Sequence, residues 1–287
     1  MACGKGVKQM LKQRIITGVI LAASLLAVVL LLPLAPLATV LGAVVAIAAW
    51  EWSALAGFHA LWARLAYAAV ACAGMLALYH YCQLGAAPVL EHVQPFLGLA
   101  CLWWAIALLW VKGFPASATL WGGTPMLSLM GMLVLLPPWL SVVYLLNYDN
   151  GRLLLLAMII VVVAADIGAY FSGKRWGKRK LAVEVSPGKS WEGFWGGLAA
   201  CILLAMIAVY GFQPSQLSVV ALFVIVVFTA LASVLGDLVE SMVKRHRGVK
   251  DSGVLLPGHG GFCDRIDGIT AAAPVFGLGL ILAGWLP

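Results

Sequence analysis

Carboxylates, cations and glycines are concentrated in one short stretch of this otherwise very apolar chain. Residues 250–268 read KDSGVLLPGHGGFCDRIDG and place Asp264 and Asp267 three positions apart. That spacing puts both carboxylates on one face if a helix begins there, and such hard oxygen ligands suit Mg²⁺, which often binds together with substrate phosphates. An alternative, equally open from this stretch alone, is a solvated loop whose aspartates cap the following helix at its positive end.

The side chains around these two aspartates are suited to phosphate binding. Lys250, His259 and Arg265 would bring positive charge to phosphate oxygens. Gly260 and Gly261 have no Cβ, so the backbone there can approach a ligand closely. The stretch is therefore a candidate for chemistry on a phosphate at a metal ion.

A second polar group lies upstream, near the end of an apolar run. Asp237, Glu240, Ser241 and Lys244 follow an i, i+3, i+4, i+7 pattern and so form one stripe on a helix. A solvated last turn that pairs Glu240 with Lys244 would explain the end of this stripe. It explains Asp237 less well, because a charged side chain costs at least about 2.5 kcal/mol at a bilayer centre and less near the edge.

Two further segments contain candidate residues. The loop VEVSPGKSWEG, residues 183–193, has a phosphate-binding composition in Gly188, Lys189 and Ser190, but it lacks the first glycine of a Walker A loop. Asp166 lies inside another apolar run, near its charged end. A carboxylate at such a depth is retained for a partner or for a function.

The composition indicates what must position these residues. The chain has 287 residues, of which 63% are hydrophobic and only 10% are charged, whereas soluble domains carry about 25% charged residues. Residues 15–50 contain no charged side chain, and a membrane span needs roughly 20 apolar residues. The six cysteines include no CxxC pair, so nothing indicates a disulfide framework or a zinc site. We expect an all-α polytopic membrane protein.

Apolar runs separated by turn residues predict nine transmembrane helices in a single membrane-embedded domain, residues 1–287. The predicted spans are 15–32, 34–56, 65–84, 96–111, 125–146, 152–172, 193–212, 217–243 and 268–286. Residues 1–150 are mainly apolar spans, whereas 151–287 hold the catalytic spans and the charged loops. Gly193 and Gly197 form a GxxxG pattern, which we interpret as helix packing.

The basic residues predict the orientation. If the N-terminus is cytoplasmic, the segments on the inner side hold 17 of the 18 Lys and Arg residues, and only Arg152 lies outside. This bias predicts a cytoplasmic N-terminus, an external C-terminus and an odd number of spans. The net charge of +7 is then accounted for by topology and by anionic lipid headgroups, so no nucleic-acid partner is expected.

The segment SMVKRHRGVKDSGVLLPGHGGFCDRID, residues 241–267, resembles the signature of the phosphatidate cytidylyltransferases, also called CDP-diacylglycerol synthases. Its matching positions are Ser241, Lys244, Arg245, Lys250, Asp251, Pro257, His259, Gly260, Gly261, Asp264, Arg265 and Asp267. The upstream segments DIGAYFSGKRWGKRKLAVEVSPGKSWEG and GDLVES are also similar to this family. The resemblance covers about residues 166–268.

The resemblance implies the conversion of CTP and phosphatidate into CDP-diacylglycerol and pyrophosphate, with Mg²⁺ as the cofactor. It further implies a multi-pass protein of the bacterial inner membrane with its active-site loops on the cytoplasmic side, and a homodimer. Acidic residues matching Asp237 and Asp264 hold metal in the family, which implies a two-ion site whose second ion is unidentified.

The residue roles follow from this resemblance. We predict Asp237, Asp264, Asp267 and Glu240 as metal ligands. The predicted catalytic residues are Asp237, Asp264, Lys244, Lys250, Arg265 and Asp267. The predicted substrate-binding residues are Ser186, Lys189, Ser190, Ser241, Arg245, His259, Gly260 and Gly261. Asp166 would support the site from a neighbouring helix.

Two other functions remain open from the sequence. A CTP-dependent lipid kinase would transfer the γ-phosphate instead of the nucleotide. An ion-coupled transporter would use intramembrane carboxylates such as Asp166 and Asp237, but its polar groups usually lie near the midplane. Here the charged groups are concentrated at one membrane edge, which favours the enzyme.

Overall fold

A computed structural model describes residues 18, 20, 23–212, 218–255 and 260–286, and within them the chain is mostly helical. The helices are α1 Leu34–Ala56, α2 Leu61–Tyr81, α3 Leu90–Gly113, α4 Ala118–Trp121, α5 Thr124–Leu145, α6 Gly151–Trp176, α7 Trp191–Phe212, α8 Val219–His246 and α9 Cys263–Leu282. Between α6 and α7, strands β1 Lys180–Ala182 and β2 Ser186–Ser190 pair antiparallel. Residues 23–31, before α1, are also helical.

Eight of the described helices, all except the short α4, are long and apolar enough to cross a membrane. They match the second to ninth predicted spans, which confirms a polytopic all-α membrane protein. The first predicted span, 15–32, lies partly outside the described residues, so the count of nine and the orientation stay predictions.

Three details of the prediction were wrong. The fourth span was predicted as 96–111, whereas α3 is 24 residues long, because it begins at Leu90 and includes the polar positions before 96. Helix α9 begins at Cys263 instead of 268, so Asp264 lies in its first turn. The predicted loop 183–193 contains strand β2, because its backbone pairs with Lys180–Ala182 across a tight turn.

Helix α5 occupies the centre of the bundle and packs against α1, α3 and α9. It is the most extensively buried of the candidate spans. Its Leu140 and Tyr144 are fully buried, and its Ser141 hydroxyl donates to the Ala273 carbonyl of α9 over 2.6 Å. Large apolar side chains such as Leu109 and Leu153 instead point outward, where lipid would cover them.

The GxxxG pattern lies where α7 crosses α6. A Cβ on Gly193 would lie 2.9 Å from the Ala169 carbonyl oxygen, and one on Gly197 would lie 2.6 Å from that of Ala165. Only glycine allows the two backbones to approach this closely. The interpretation as helix packing is confirmed.

Arg152, the exception to the charge bias, has a structural role. Its guanidinium donates to the carbonyl oxygens of Leu30 at 2.5 Å and Leu32 at 2.7 Å, at the end of the helical segment before α1. The last carbonyls of a helix lack partners within the helix, and a cation is favourable beside them. Arg152 therefore caps this segment from the start of α6.

Three side chains after the polar stripe of α8 tie distant parts of the chain to one end of the bundle. Arg247 donates to the Leu55 and Ala56 carbonyls at 2.5 and 2.6 Å, which caps α1. His246 Nε2 lies 3.2 Å from the Gly122 carbonyl oxygen, and Arg245 Nε donates to a carbonyl of the hairpin over 3.3 Å. The ends of α1 and α8 and the β-hairpin thus meet at one edge of the bundle.

Candidate active site

A buried lysine stands at the centre of the site. Lys244 Nζ lies 2.5 Å from Asp264 Oδ1 and 3.4 Å from Glu240 Oε1, and all three side chains are almost fully buried. The burial of Glu240 and Lys244 excludes the solvated last turn considered from the sequence. Their pairing offsets part of the cost of burying these charges.

The second oxygen of Asp264 is bound by the loop that precedes α9. Asp264 Oδ2 accepts from the Gly261 amide at 2.8 Å, the Ser252 amide at 2.9 Å and the Ser252 hydroxyl at 3.0 Å. Gly260 has a φ of +80°, a left-handed conformation that favours glycine, and a Cβ there would lie 2.7 Å from Asp264 Oδ2. The glycine cluster therefore folds around the aspartate.

Asp237 forms the outer part of the polar stripe. Its Oδ2 lies 2.6 Å from Lys189 Nζ of β2, and its Oδ1 accepts from the Ser241 hydroxyl at 3.1 Å. The side chains of this ion pair are partly exposed, Lys189 by 27% and Asp237 by 34%, so a ligand can reach them. Asp166 of α6 interacts electrostatically with both. The hairpin and the stripe therefore meet at this ion pair.

Asp267 joins the stripe from α9. Together with Glu240 it lines a small cavity whose other walls include Trp52, Trp104 and Thr270. Glu240 lies within ion-pair distance of Lys244 and also interacts with Asp267, so the two acids of this cavity are linked to the lysine at the centre of the site. The indole nitrogen of Trp104, on the cavity wall, has no hydrogen-bond partner among the described residues.

The remaining predicted residues lie around this centre. Ser190 is buried and its hydroxyl accepts from the Gly193 amide at 3.1 Å, which caps α7, while Ser186 on the same strand is half-buried. Lys250 and Arg265 are exposed and could reach ligands in solution. His259 lies outside the described residues.

Glu51 and Ser252 belong to the site, although the sequence analysis did not select them. Glu51 of α1 is 2% exposed, and its Oε2 accepts from the Cys263 amide at 2.9 Å and from the Ser252 hydroxyl at 3.1 Å. Glu51 is the first acidic residue after a long uncharged run, the same signal that selected Asp166. Ser252 gave no signal of this kind.

The donor set fits a hard divalent cation that keeps other ligands. Among the described residues, no three His, Cys, Asp or Glu side chains form a ready-made metal-binding group. Mg²⁺, however, usually binds through one or two carboxylates and completes its shell with waters and substrate phosphates. The carboxylates of Glu240 and Asp237 would supply such ligands, and that of Asp237 is the more accessible of the two.

Comparison with known proteins gives matches over nearly the whole chain. A profile described as the cytidylyltransferase family matches residues 12–282. The phosphatidate cytidylyltransferase of Pseudomonas aeruginosa is 47% identical over 276 residues, which cover 96% of this chain and 99% of that protein. That of Haemophilus influenzae is 42% identical over 282 residues, or 93% and 97% of the two chains. That of Bacillus subtilis is 48% identical over 118 residues, or 40% and 42%.

Proposed function

This chain belongs to the cytidylyltransferase family, and from that premise we propose that it transfers the cytidylyl group of CTP to phosphatidate, giving CDP-diacylglycerol and pyrophosphate. The observation that carries the proposal is the convergence of the β-hairpin, the polar stripe of α8 and the start of α9 at one edge of a membrane bundle. A site at the membrane edge would meet the phosphate of phosphatidate from the lipid side and CTP from the water.

The reaction requires one bond to form and one to break. An oxygen of the phosphatidate phosphate attacks the α-phosphorus of CTP in line, and the bond from that phosphorus to the bridging oxygen of the β-phosphate breaks. The pyrophosphate leaves with the electron pair. Because the attacking phosphate is already anionic, the protein needs no strong general base, and catalysis comes from positioning and charge neutralisation.

Two lysines of the site are held by its carboxylates. Lys189 is paired with Asp237 and Lys244 with Asp264. Such pairs keep each ammonium group at a defined place. On binding, Lys189 would turn to the triphosphate, and Lys250 and Arg265 would neutralise its outer oxygens.

Mg²⁺ would be held by Asp237, Glu240, Asp264 and Asp267, with a second cation at the same carboxylates. Asp264 would bind through Oδ1, since its Oδ2 is held by the loop, and Lys244 would have to move from that oxygen. When bound, it would supply positive charge at the α-phosphate and at the departing pyrophosphate. The positive charge of the buried Lys244 reduces the repulsion between the carboxylates of Asp264 and Glu240. Ser186, Ser190, Ser241, Arg245, His259, Gly260 and Gly261 would bind the nucleotide or the lipid phosphate.

The site would face the cytoplasm from a bacterial inner membrane. The charge bias supports this orientation, since the helix ends that meet at the site are those with most of the basic residues. The family resemblance also supports a homodimer. A reporter enzyme that works only outside the cytoplasm should be active when it is fused after α9. Cross-linking of the protein in membranes should yield a dimer.

The experiment is to follow label from CTP into lipid. Purified protein receives phosphatidate, Mg²⁺ and CTP labelled at either the α- or the γ-phosphate. Label that enters lipid only from the α position supports the proposal, whereas label only from the γ position would make the protein a lipid kinase. No label from a folded protein would return the transporter to consideration.

Two variants test the residues in the same assay. Asp237→Asn and Asp264→Asn should abolish turnover, because each removes a charged ligand of the proposed metal. Asp149→Asn, an exposed residue at a distant turn, is the matched control and should keep full activity. Near-normal activity in either site variant would exclude the metal assignment.

A further inference from the structure

We propose that Glu51 is a positioning residue for this reaction: it holds the loop that orients Asp264, and it does so as a hydrogen-bond acceptor. The inference rests on the proposed function, since Asp264 is taken there as a metal ligand. Glu51 lies on α1, more than two hundred residues before Asp264 in the chain. It touches neither substrate nor metal in this assignment.

Glu51 binds both segments that in turn bind Asp264. One of its oxygens, Oε2, accepts from the Ser252 hydroxyl and from the amide of Cys263, the residue just before Asp264. Ser252 and Gly261 provide the three donors to Asp264 Oδ2. The Ser252 hydroxyl thus lies between two carboxylates and has a single hydrogen to share between them.

The backbone around Glu51 is packed in a way that allows little movement. A Cβ on Gly253 would lie 2.5 Å from Glu51 Oε1, and one on Gly261 would collide with both Glu51 and the Ser252 hydroxyl. Cys263 is buried, and its Sγ lies 3.3 Å from the Ala48 carbonyl oxygen of α1. The start of α9 is therefore seated directly on α1.

The contacts of Glu51 allow its role as a hydrogen-bond acceptor to be tested separately from its charge. Glu51 Oε1 has no hydrogen-bond partner among the described residues, so both observed bonds go to Oε2. Glutamine can place its amide oxygen at the Oε2 position and keep both bonds without a charge. Aspartate keeps the charge, but it is one methylene shorter and cannot reach both donors from the same backbone position.

The test compares Glu51→Gln, Glu51→Asp and Glu51→Ala with Ser53→Ala. Ser53 is the matched control, because it is a buried polar residue of the same helix whose hydroxyl bonds to Trp50 and Arg64, away from the site. We expect Glu51→Ala and Glu51→Asp to lower kcat by about tenfold to a hundredfold, with KM for phosphatidate unchanged. Glu51→Gln and Ser53→Ala should retain the kcat of the parent protein.

A second readout does not depend on turnover. Alkylation of Cys263 by N-ethylmaleimide is followed by mass spectrometry in the detergent-solubilised protein, with the fully buried Cys201 as internal reference. Cys263 should react about tenfold faster in Glu51→Ala and Glu51→Asp than in the parent, because the start of α9 opens locally. It should remain protected in Glu51→Gln and Ser53→Ala.

The inference is overturned if Glu51→Ala keeps full kcat, or if Cys263 stays protected in it. It is also overturned if Glu51→Asp is active and Glu51→Gln is not, since the charge would then be what matters. If Glu51→Ala does not fold, the kcat and the Cys263 alkylation rate of Glu51→Gln and Glu51→Asp are compared, and this comparison decides whether the inference holds. If the parent protein forms no CDP-diacylglycerol, the proposed function fails, whereas the alkylation rates still test whether Glu51 holds the loop.

Discussion

Replacement of Lys244 by methionine should destabilise the protein strongly. Methionine has nearly the length of lysine without the charge, so the change removes the ammonium group and little volume. It leaves Glu240, whose carboxylate is 4% exposed, and Asp264, at 6%, without their cation. Breaking a buried ion pair by removing one partner typically costs about 3 to 5 kcal/mol.

Two features of the site determine how much stability Lys244→Met loses within this range of about 3 to 5 kcal/mol. Asp264 keeps its three loop donors and is partly compensated. Glu240 interacts with a second acid, Asp267, so the loss of Lys244 leaves neighbouring carboxyl groups without their nearest cation. We expect a loss of about 4 kcal/mol, which corresponds to a fall in Tm on the order of 10 °C for a chain of this size.

The assay is thermal unfolding in detergent at a fixed scan rate, followed by the fluorescence of the twelve tryptophans. Lys112→Met is the matched control, because it is the same substitution at an exposed position of α3 and should cost about 0.5 kcal/mol or less. Adding Asp264→Asn to Lys244→Met should recover part of the loss, because one unpaired charge disappears. A Tm for Lys244→Met equal to that of Lys112→Met would refute the electrostatic reasoning.

Two further changes test the glycine cluster and the cap by Arg152. Gly261→Ala should abolish CDP-diacylglycerol formation, since its methyl group would collide with Glu51, whereas Gly98→Ala, with open space around it, should keep full activity; equal activity in the two would show that the loop can move aside. Arg152→Ala should lower the stability of the bundle by about 1 to 2 kcal/mol with kcat unchanged, because carbonyls lose charged hydrogen bonds far from the site. A thermal melt and the lipid-labelling assay check this, and a loss of activity without a change in Tm would contradict it.

Most of the candidate residues could be selected from the sequence because a charged side chain in a membrane span costs free energy and is therefore easy to recognise. A carboxylate inside an apolar run, such as Asp237, stands out against its surroundings and requires a reason. The helical spacing that joins Asp237, Glu240 and Lys244 is likewise visible in the sequence, and the structure confirms that they share a face. The spans were predicted for the same reason, since a long apolar run has few alternatives to a membrane helix.

The missed features depend on contacts between distant segments. Glu51 gave the same signal as Asp166, but nothing in the sequence shows that α1 ends beside the start of α9. Strand β2 was missed because its pairing with β1 is decided by the backbone and not by a pattern of side chains. Ser252 lies in an ordinary polar loop, and only its distance to two carboxylates distinguishes it.

The contacts of α1 with the far end of the chain have a consequence for synthesis. Arg247 caps α1 and Glu51 holds the start of α9, yet α1 enters the membrane long before either partner has been translated. Until then the last carbonyls of α1 and the carboxylate of Glu51 lack these partners. We therefore expect a chain that ends before α9 to form no CDP-diacylglycerol, because it lacks Asp264 and the segment that Glu51 holds in place.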